Sequence, residues 1–173
     1  FALDNNGEFT FSDQPGRDEQ EAFAASLRGI YTGWQSVRLT SVTAAAWVDS
    51  VYSYDDDWTA ASYMGFSDLR RDRETFNQEL RLDSTATRDA LGAIDRWTFG
   101  AFFNRTDEDG VYTNEDPDNI RGLNTRYEAT NAALFGQTAS DLGDRARLIL
   151  GLRAERVDLD GAGTRTRFRK GPG

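Results

Sequence analysis

The residues best able to do chemistry in this sequence are carboxylates, because the 173-residue chain contains neither His nor Cys. Glu79 and Asp83 lie on the same side of an alternating segment, about 13 Å apart by the rise of a β-strand. That distance is too long for either of the standard two-carboxylate glycosidase mechanisms. A serine nucleophile would lack the His that activates it. The sequence therefore predicts a protein that is not an enzyme and has no catalytic residue.

Two acidic segments could be considered for metal binding. Asp55, Asp56 and Asp57 are adjacent in the chain, and three adjacent carboxylates cannot converge on one ion without local bending. In the second segment, the Asp-Glu-Asp-Gly sequence at 107–110 resembles part of a calcium loop, but Val111 occupies the next ligand position. We interpret both segments as solvated acidic loops, and we predict no metal site and no cofactor.

The net charge of −9 disfavours a nucleic-acid partner, since phosphate binding requires clustered Lys and Arg. The aromatic content of 12% argues against disorder. No window contains the 18 or so consecutive apolar residues that a transmembrane helix needs. This pattern does not exclude a membrane β-barrel, whose strands are about 10 residues long and half polar.

Residues 76–84 show the clearest alternation in the chain. Phe76, Gln78, Leu80 and Leu82 occupy one side, and the other side is charged or polar. Successive side chains of a strand point to opposite faces, so this segment is predicted to be a strand with one apolar face and one charged face.

Five further segments show strand patterns of differing clarity. The Ala44-Ala45-Ala46 sequence leaves a helix open as an alternative for the second strand, although the surrounding Val, Thr, Tyr and Trp favour a strand. The adjacent Leu134 and Phe135 leave the facing of the fifth strand undecided. The six predicted strands are 22–31, 36–54, 76–84, 96–106, 130–140 and 146–159, and residues 160–173 are interpreted as a Gly-rich, basic tail.

The links between the predicted strands alternate in length. Links 32–35, 85–95 and 141–145 are short, whereas 55–73 and 107–124 are long and acidic. In an up-and-down meander all short turns would lie at one end, as in outer-membrane barrels. Aromatic residues near the strand ends are also typical of interfacial girdles. Those near the short links are Tyr31, Trp34 and Trp97, and those near the long links are Phe23, Tyr52, Tyr54, Phe76 and Phe103.

Three motifs carry a resemblance to a known family. The sequence FNQELRL at 76–82 resembles a strand of the TonB-dependent outer-membrane receptors. The sequence ALFGQ at 133–137, followed by Asp141-Leu142 and by LGLRAER at 150–156, is similar to a hairpin of that family. The sequence LTSVTA at 39–44 resembles a third strand, with Ala45 where an aromatic residue is usual. The three motifs occur in the order expected of the family.

The resemblance implies an all-β fold, an antiparallel up-and-down meander that is part of a large transmembrane β-barrel in the bacterial outer membrane. Residues 1–173 would form a partial barrel segment of about six strands, with no plug domain in this chain. The implied function is active uptake of a scarce ligand such as an iron chelate, cobalamin or a saccharide. The implied partners are outer-membrane lipid, the rest of the barrel and its plug, a TonB-type energy-coupling protein acting through the parent chain, and the small-molecule ligand.

We expect the polar side of the strands to face the barrel lumen and the long loops to contact ligand. Two alternatives remain open from the sequence: a soluble β-sandwich binding or adhesion module, and a purely structural barrel. The predicted ligand-binding residues are Trp58, Tyr63 and Tyr112. The predicted lumen-facing residues are Asn77, Glu79, Arg81, Asp83, Arg153 and Glu155.

Overall fold

The structure is a computed structural model that describes residues 12–14, 16–57, 59–60, 65–85, 96–143 and 145–170. Six strands make up most of this part of the chain. They are β1 (Arg17–Tyr31), β2 (Val37–Asp55), β3 (Phe66–Ser84), β4 (Arg96–Glu115), β5 (Asn119–Asp141) and β6 (Arg147–Arg169).

The strands form one sheet in the order β1-β2-β3-β4-β5-β6, and every neighbouring pair is antiparallel. This arrangement confirms the predicted meander, and the Ala-rich part of β2 is strand, not helix. Within the described residues β1 and β6 are not paired with each other, so the sheet is open. The six strands lie in a single sheet, whereas a sandwich would divide them between two.

The part of the chain that the structure describes offers no helical segment capable of crossing a membrane.

Four strands are much longer than the sequence pattern indicates. β3 begins at Phe66, β4 continues to Glu115, β5 begins at Asn119 and β6 continues to Arg169. The predictions that 66–73, 107–115, 119–124 and 160–169 are loop or tail were therefore wrong. Their Asp, Asn and Gly residues are turn formers in isolation, but continuous hydrogen-bonded pairing, on both sides in β3, β4 and β5 and with β5 alone in β6, overrides that local preference.

The predicted difference in link length was wrong as well. The link between β4 and β5 contains only residues 116–118, fewer than the eleven residues, 85–95, between β3 and β4. We call the end of the sheet with residues 116–118 the distal end. We call the opposite end, with links 32–36, 85–95 and 142–146, the proximal end. In the proximal turn 142–146, Gly143 has a φ of +76°, a conformation that favours glycine.

The register assigns every strand residue to one of two faces. The Leu80 face contains Leu80, Ser41, Ala101, Leu134 and Ala154, which lie on one row across five strands. The Glu79 face lies opposite and contains the neighbouring row through Val42, Glu79, Phe102, Ala133 and Glu155. This assignment resolves the fifth strand, because Leu134 lies on the Leu80 face and Phe135 on the Glu79 face.

The described sheet has almost no hydrophobic core of its own, since Ala133 is its only buried apolar residue. Leu80 and Leu134 are 45% and 67% exposed, although the strands that carry them have neighbours on both sides. A soluble monomer rarely leaves a contiguous apolar surface of this kind open to water. The Leu80 face therefore requires an apolar environment from outside the described residues.

Candidate functional site

The proximal half of the Leu80 face is an apolar band with an aromatic upper edge. On each of the first four strands the last uncharged residue before the charged part is aromatic: Phe23, Trp47, Phe76 and Phe103. The rings of Phe23 and Trp47 have centroids 5.7 Å apart, and those of Phe76 and Phe103 are 6.4 Å apart. Four aromatic residues side by side on one face match the interfacial girdle of a membrane barrel. We call the part of the sheet proximal to this edge the apolar half and the remainder the charged half.

The edge of the band runs obliquely across the strands. From β1 to β6 the first charged residue on the Leu80 face moves about six residues toward the proximal end, with Glu128 on β5 lying off this line. Six residues of strand rise across five inter-strand spacings correspond to a tilt of about 40°. Strands of outer-membrane barrels tilt by a similar angle. The first charged residues are Glu21, Asp49, Glu74, Arg105, Glu128 and Arg156.

The lower edge of the band is also aromatic. Trp97 and Phe99 have centroids 5.3 Å apart, and Tyr31 meets Trp34 edge to face at 5.1 Å. On β2 the band extends from Val37 to Trp47, which gives a height of about 25 Å at the inferred tilt. Tyr52 and Tyr54, which were predicted to join Phe23 in one girdle, lie instead on the Glu79 face near the distal end.

Two reciprocal contacts between phenylalanine and glycine join β4 to β5. Phe99 pairs with Gly136 on the Leu80 face, and Gly100 pairs with Phe135 on the Glu79 face. A methyl group on Gly136 would lie 2.8 Å from the Phe99 ring, and one on Gly100 would overlap the Phe135 ring. Each ring therefore covers the glycine opposite, an arrangement that fixes strand register. The Phe-Gly-Gln part of the ALFGQ motif thus has a structural role.

A small polar cluster within the apolar half links two of the sequence motifs. Thr43 Oγ1 donates to Gln78 Oε1 at 2.6 Å, and Gln78 Nε2 donates to Ser41 Oγ at 3.1 Å. The three side chains satisfy one another on the Leu80 face, which limits the cost of removing them from water. The LTSVTA and FNQELRL motifs are therefore adjacent strands joined through these side chains.

All six residues predicted for the lumen wall lie on the Glu79 face, on β3 and β6. Arg81 and Arg38 contact Asp83 at 3.2 and 3.3 Å, and Thr98 Oγ1 donates to Asp83 Oδ1 at 2.8 Å. Asn104 Nδ2 donates to Asn77 Oδ1 at 2.7 Å. These side chains of β2, β3 and β4 therefore form a hydrogen-bonded polar network in the proximal half of this face, which we call the polar wall.

The polar wall continues through β4 and β5 to β6. Arg153 contacts Glu155 at 3.0 Å, and Asn131 Nδ2 donates to Glu155 Oε1. Phe102, one of the apolar residues on this face, lies under the Arg153 guanidinium, 5.7 Å from the ring centroid to Cζ. This cation–π contact explains why a phenylalanine is compatible with the polar side.

Arg–carboxylate pairs occur along single strands, mostly in the charged half. Six pairs join residues two apart on the same face, at distances between 2.8 and 3.2 Å. Arg81–Asp83 and Arg153–Glu155 lie level with the apolar half, and the other four pairs lie in the charged half. The pairs are Arg17–Glu19, Asp68–Arg70, Arg81–Asp83, Arg105–Asp107, Arg153–Glu155 and Arg156–Asp158. Alternating charges that neutralise each other explain how this part of the chain forms strands.

An acidic row lies just distal to the aromatic edge. Glu21, Asp49, Asp72 and Asp109 are register partners on β1 to β4 of the Leu80 face. Asp72 is exposed, but slight desolvation beside the neighbouring strands, a hydrogen bond with Asp49 and the charges of Asp49 and Asp109 raise its pKa. Like charges directly opposite each other destabilise a sheet. Repulsion in this row therefore disfavours the pairing of β1 to β4 at this level.

Tyr112 was predicted as a loop residue, and it lies instead within β4 on the Glu79 face. Its hydroxyl is 3.0 Å from Ser67 Oγ, and Ser67 donates to Asp56 Oδ1 at 2.7 Å. Asn114 Nδ2 donates to Asp56 Oδ2 at 2.5 Å and to Ser67 Oγ at 3.1 Å. Ser67 is 1% exposed, so a part-buried network centred on this residue holds Tyr112 in place. The other predicted ligand residues, Trp58 and Tyr63, lie outside the described residues.

The distal turn between β4 and β5 is organised by Asp116. Its Oδ1 accepts hydrogen bonds from the backbone N–H groups of Asp118 at 2.9 Å and Asn119 at 2.6 Å. Arg121 contacts its Oδ2 at 3.1 Å. Hydrogen bonds from the Asn119 side chain and these backbone groups, with the charge of Arg121, lower the pKa of Asp116.

Sequence reasoning missed the basic residues beside Tyr112. Arg121 on β5 and Arg165 and Arg167 on β6 lie on the Glu79 face and, with Tyr112, line an open cavity of about 600 Å³. The alternating arginines of 165–169 were the available signal, but the segment was interpreted as a basic tail. Only the pairing of β6 with β5 brings them next to Tyr112.

Comparison with known proteins agrees with this architecture. No curated protein matches the chain. A family model described as TonB dependent receptor-like, beta-barrel matches residues 2–172. Proteins of this family are receptors and transporters of the outer membrane, not enzymes. The single meander, the oblique apolar band and this match over nearly the whole chain lead to one conclusion: the chain belongs to the TonB-dependent receptor-like β-barrel family.

Proposed function

We propose that this chain forms part of the barrel wall of a receptor that takes up a scarce small molecule across the bacterial outer membrane. The observation that carries the proposal is the apolar band of the Leu80 face, which is exposed on central strands and bounded by aromatic residues at both edges. Lipid is the environment that this band fits, because the band has about the height of an outer-membrane hydrocarbon layer.

In this function the Glu79 face lines the lumen. Asn77, Glu79, Arg81, Asp83, Arg153 and Glu155 then face water or a plug, not lipid. Three features support this orientation: the ion pairs of Asp83, the amide pair of Asn77 and Asn104, and the Arg153–Glu155 contact. Charges on the lipid side would be costly at this depth.

The remaining strands and the plug of the proposed receptor lie outside the described residues. The open edges of β1 and β6 require further strands, since unpaired backbone groups are not tolerated in the hydrocarbon layer. We propose that these strands and a plug belong to the same receptor and that a TonB-type protein supplies energy through the plug. The ligand classes in keeping with the resemblance are iron chelates, cobalamin and saccharides.

The proposal is tested by labelling single cysteines, because this chain has no Cys of its own. Pro117→Cys places a thiol in the distal turn, and Leu142→Cys is the matched variant in the proximal turn. The test uses the full-length receptor expressed in its bacterium, intact cells and a membrane-impermeant maleimide.

We expect labelling of the Pro117→Cys variant in intact cells and of the Leu142→Cys variant only after the outer membrane is permeabilised. Both variants should be recovered in the outer-membrane fraction with heat-dependent gel mobility. Recovery in a soluble fraction would contradict the proposal, as would equal labelling of both sites in intact cells.

A further inference from the structure

Resting on the proposed function, we infer that the distal part of the Glu79 face binds an anionic ligand bearing carboxylate or phosphate groups. The site consists of Arg121, Arg165, Arg167 and Tyr112 around the open cavity of about 600 Å³. This assigns the charge class of the ligand and the residues that contact it.

The first argument is the exception that these arginines make to the charge pattern of the sheet. Elsewhere an arginine is commonly followed or preceded, two residues away on the same face, by a carboxylate. On β6 the residues two apart on the Glu79 face are Arg165, Arg167 and Arg169, three cations in succession. Among the described residues Arg165 has neither an ion pair nor a hydrogen bond.

The second argument is a direct like-charge pairing. Arg121 and Arg167 are register partners on adjacent strands, an arrangement that destabilises a sheet in the absence of an anion. Asp116 contacts Arg121, but among the residues that the structure describes Arg167 contacts only the neutral Asn119 Oδ1, at 3.2 Å. In a chain with a net charge of −9, this local excess of positive charge is a site for an anion from solution.

The third argument is the fixed position of Tyr112 beside the arginines. Leu123 separates Tyr112 from Arg165 on one register row, and the next row distally contains Asn114, Arg121 and Arg167. The network through Ser67 and Asp56 holds the phenol ring in place before ligand arrives. Guanidinium groups bind carboxylate and phosphate through paired hydrogen bonds, and a fixed aromatic ring adds a surface for an organic ligand.

The test measures anion binding by the full-length receptor purified in detergent, using isothermal titration with citrate and, separately, with pyrophosphate. The two probes distinguish a carboxylate ligand from a phosphate ligand. The test variant is Arg165→Gln, and Arg156→Gln is the matched control. The control lies on the same strand but on the opposite face, where Arg156 contacts Asp158 at 2.8 Å.

We expect at least one probe to bind, with affinity that falls as salt rises. Arg165→Gln should weaken that binding about tenfold to a hundredfold, as expected for loss of a charge-assisted hydrogen bond. Arg156→Gln should change it less than about twofold, and Arg165→Lys should retain an intermediate affinity. Arg121→Gln serves as the second variant if Arg165→Gln does not reach the membrane.

Binding of neither anion would overturn the inference, and so would equal affinities of the wild type and Arg165→Gln. Neutralisation of the arginines by a further strand would give the first of these results. The cysteine labelling described above does not depend on these arginines. A receptor that is correctly labelled but binds no anion would therefore refute this inference and leave the proposed function intact.

Discussion

The apolar half and the charged half of the sheet share one continuous backbone hydrogen-bond ladder but differ in the polarity of the side chains on the Leu80 face. In the apolar half the Leu80 face is exposed and apolar, and polar residues such as Gln78 are satisfied by neighbours. In the charged half both faces carry ionised residues, many paired along a strand. The backbone hydrogen bonds are continuous through both.

The difference shows that side chains, not the ladder, determine where the membrane lies. A sheet in lipid satisfies its backbone groups internally, and the same is true of a sheet in water. The strands therefore continue past the aromatic edge with no break in pairing. At Phe76 and Phe103 only the side chains of the Leu80 face change. They suit lipid on the proximal side of these residues and water on the distal side.

The largest expected effect comes from placing the same cation on the same face in each half. Ala101→Arg in the apolar half should destabilise the folded receptor by about 2–4 kcal/mol, because the charge enters the hydrocarbon layer. Thr113→Arg is the matched control on the same strand and face, opposite Asp68 in register, and should change stability by less than about 0.5 kcal/mol. Unfolding by denaturant in lipid vesicles, followed by tryptophan fluorescence, measures both.

Equal costs for the two arginine variants would remove the distinction between the halves. The outward face would then meet the same medium along its whole length.

The next effect sharpens the comparison within the apolar half. Gly100→Ala should cost about 1–3 kcal/mol, because the added methyl overlaps the Phe135 ring and the packed pair must shift. Gly151→Ala is the control, since its methyl would meet only ordinary contacts, the nearest at 3.7 Å. Stability is measured as for the arginine variants.

The double variant Gly100→Ala with Phe135→Ala tests whether the two residues act together. The double variant should lose less stability than the sum of the two single losses, because without the Phe135 ring the methyl group at position 100 overlaps nothing. If the two single losses simply add, the cross-strand contact does not fix the register as inferred.

A smaller effect tests the distal turn of the charged half. Asp116→Ala removes the acceptor of the Asp118 and Asn119 amides, so their hydrogen exchange should accelerate roughly threefold or more. Within the part of the chain that the structure describes, the Asp118 side chain makes no hydrogen bond, so Asp118→Ala removes a charge from the same turn and should leave exchange at Asn119 nearly unchanged.

The pH dependence of the turn follows from the lowered pKa of Asp116. Because the folded pKa lies below the unfolded value of about 3.9, the stabilising contribution is present above that pH. It is lost as pH falls through the folded pKa. The measurement is protection of the Asn119 amide from hydrogen exchange, corrected for intrinsic exchange. Protection that stays constant as the pH is lowered from about 3.9 would argue against this account.

The smallest effect concerns the acidic row. Asp72→Asn should stabilise the sheet by a few tenths of a kcal/mol, because it removes a carboxylate that faces Asp49 and Asp109. The raised pKa of Asp72 also indicates that its ionised form destabilises the folded state. The stability of the receptor should therefore decline as pH rises through that pKa.

Asp68→Asn is the matched change on the same strand and face. Asp68 contacts Arg70 at 3.0 Å, so this variant should be neutral or slightly destabilising. Equal effects of the two substitutions on the urea midpoint would show that the acidic row carries no local repulsion.

The sequence by itself determined the number of strands, their order and their local alternation. Residues 76–84 alternate so strictly that a one-residue shift would place Leu80 and Leu82 on the wrong face. The motifs around Gln78 and Gly136 also identified the family that the comparison supports. These features are local, and the two-residue period of a strand expresses them directly.

Only the tertiary structure decided which residues of different strands share a face and how far the strands extend. Alternation places Leu134 and Phe135 on opposite sides, but pairing with β4 decides that Phe135 covers Gly100. The 107–115 segment has the composition of a loop, yet pairing on both sides makes it strand. Arg121 and Arg167 are 46 positions apart in the chain and adjacent in the sheet. Register is a property of strand pairs, so no single segment of sequence contains it.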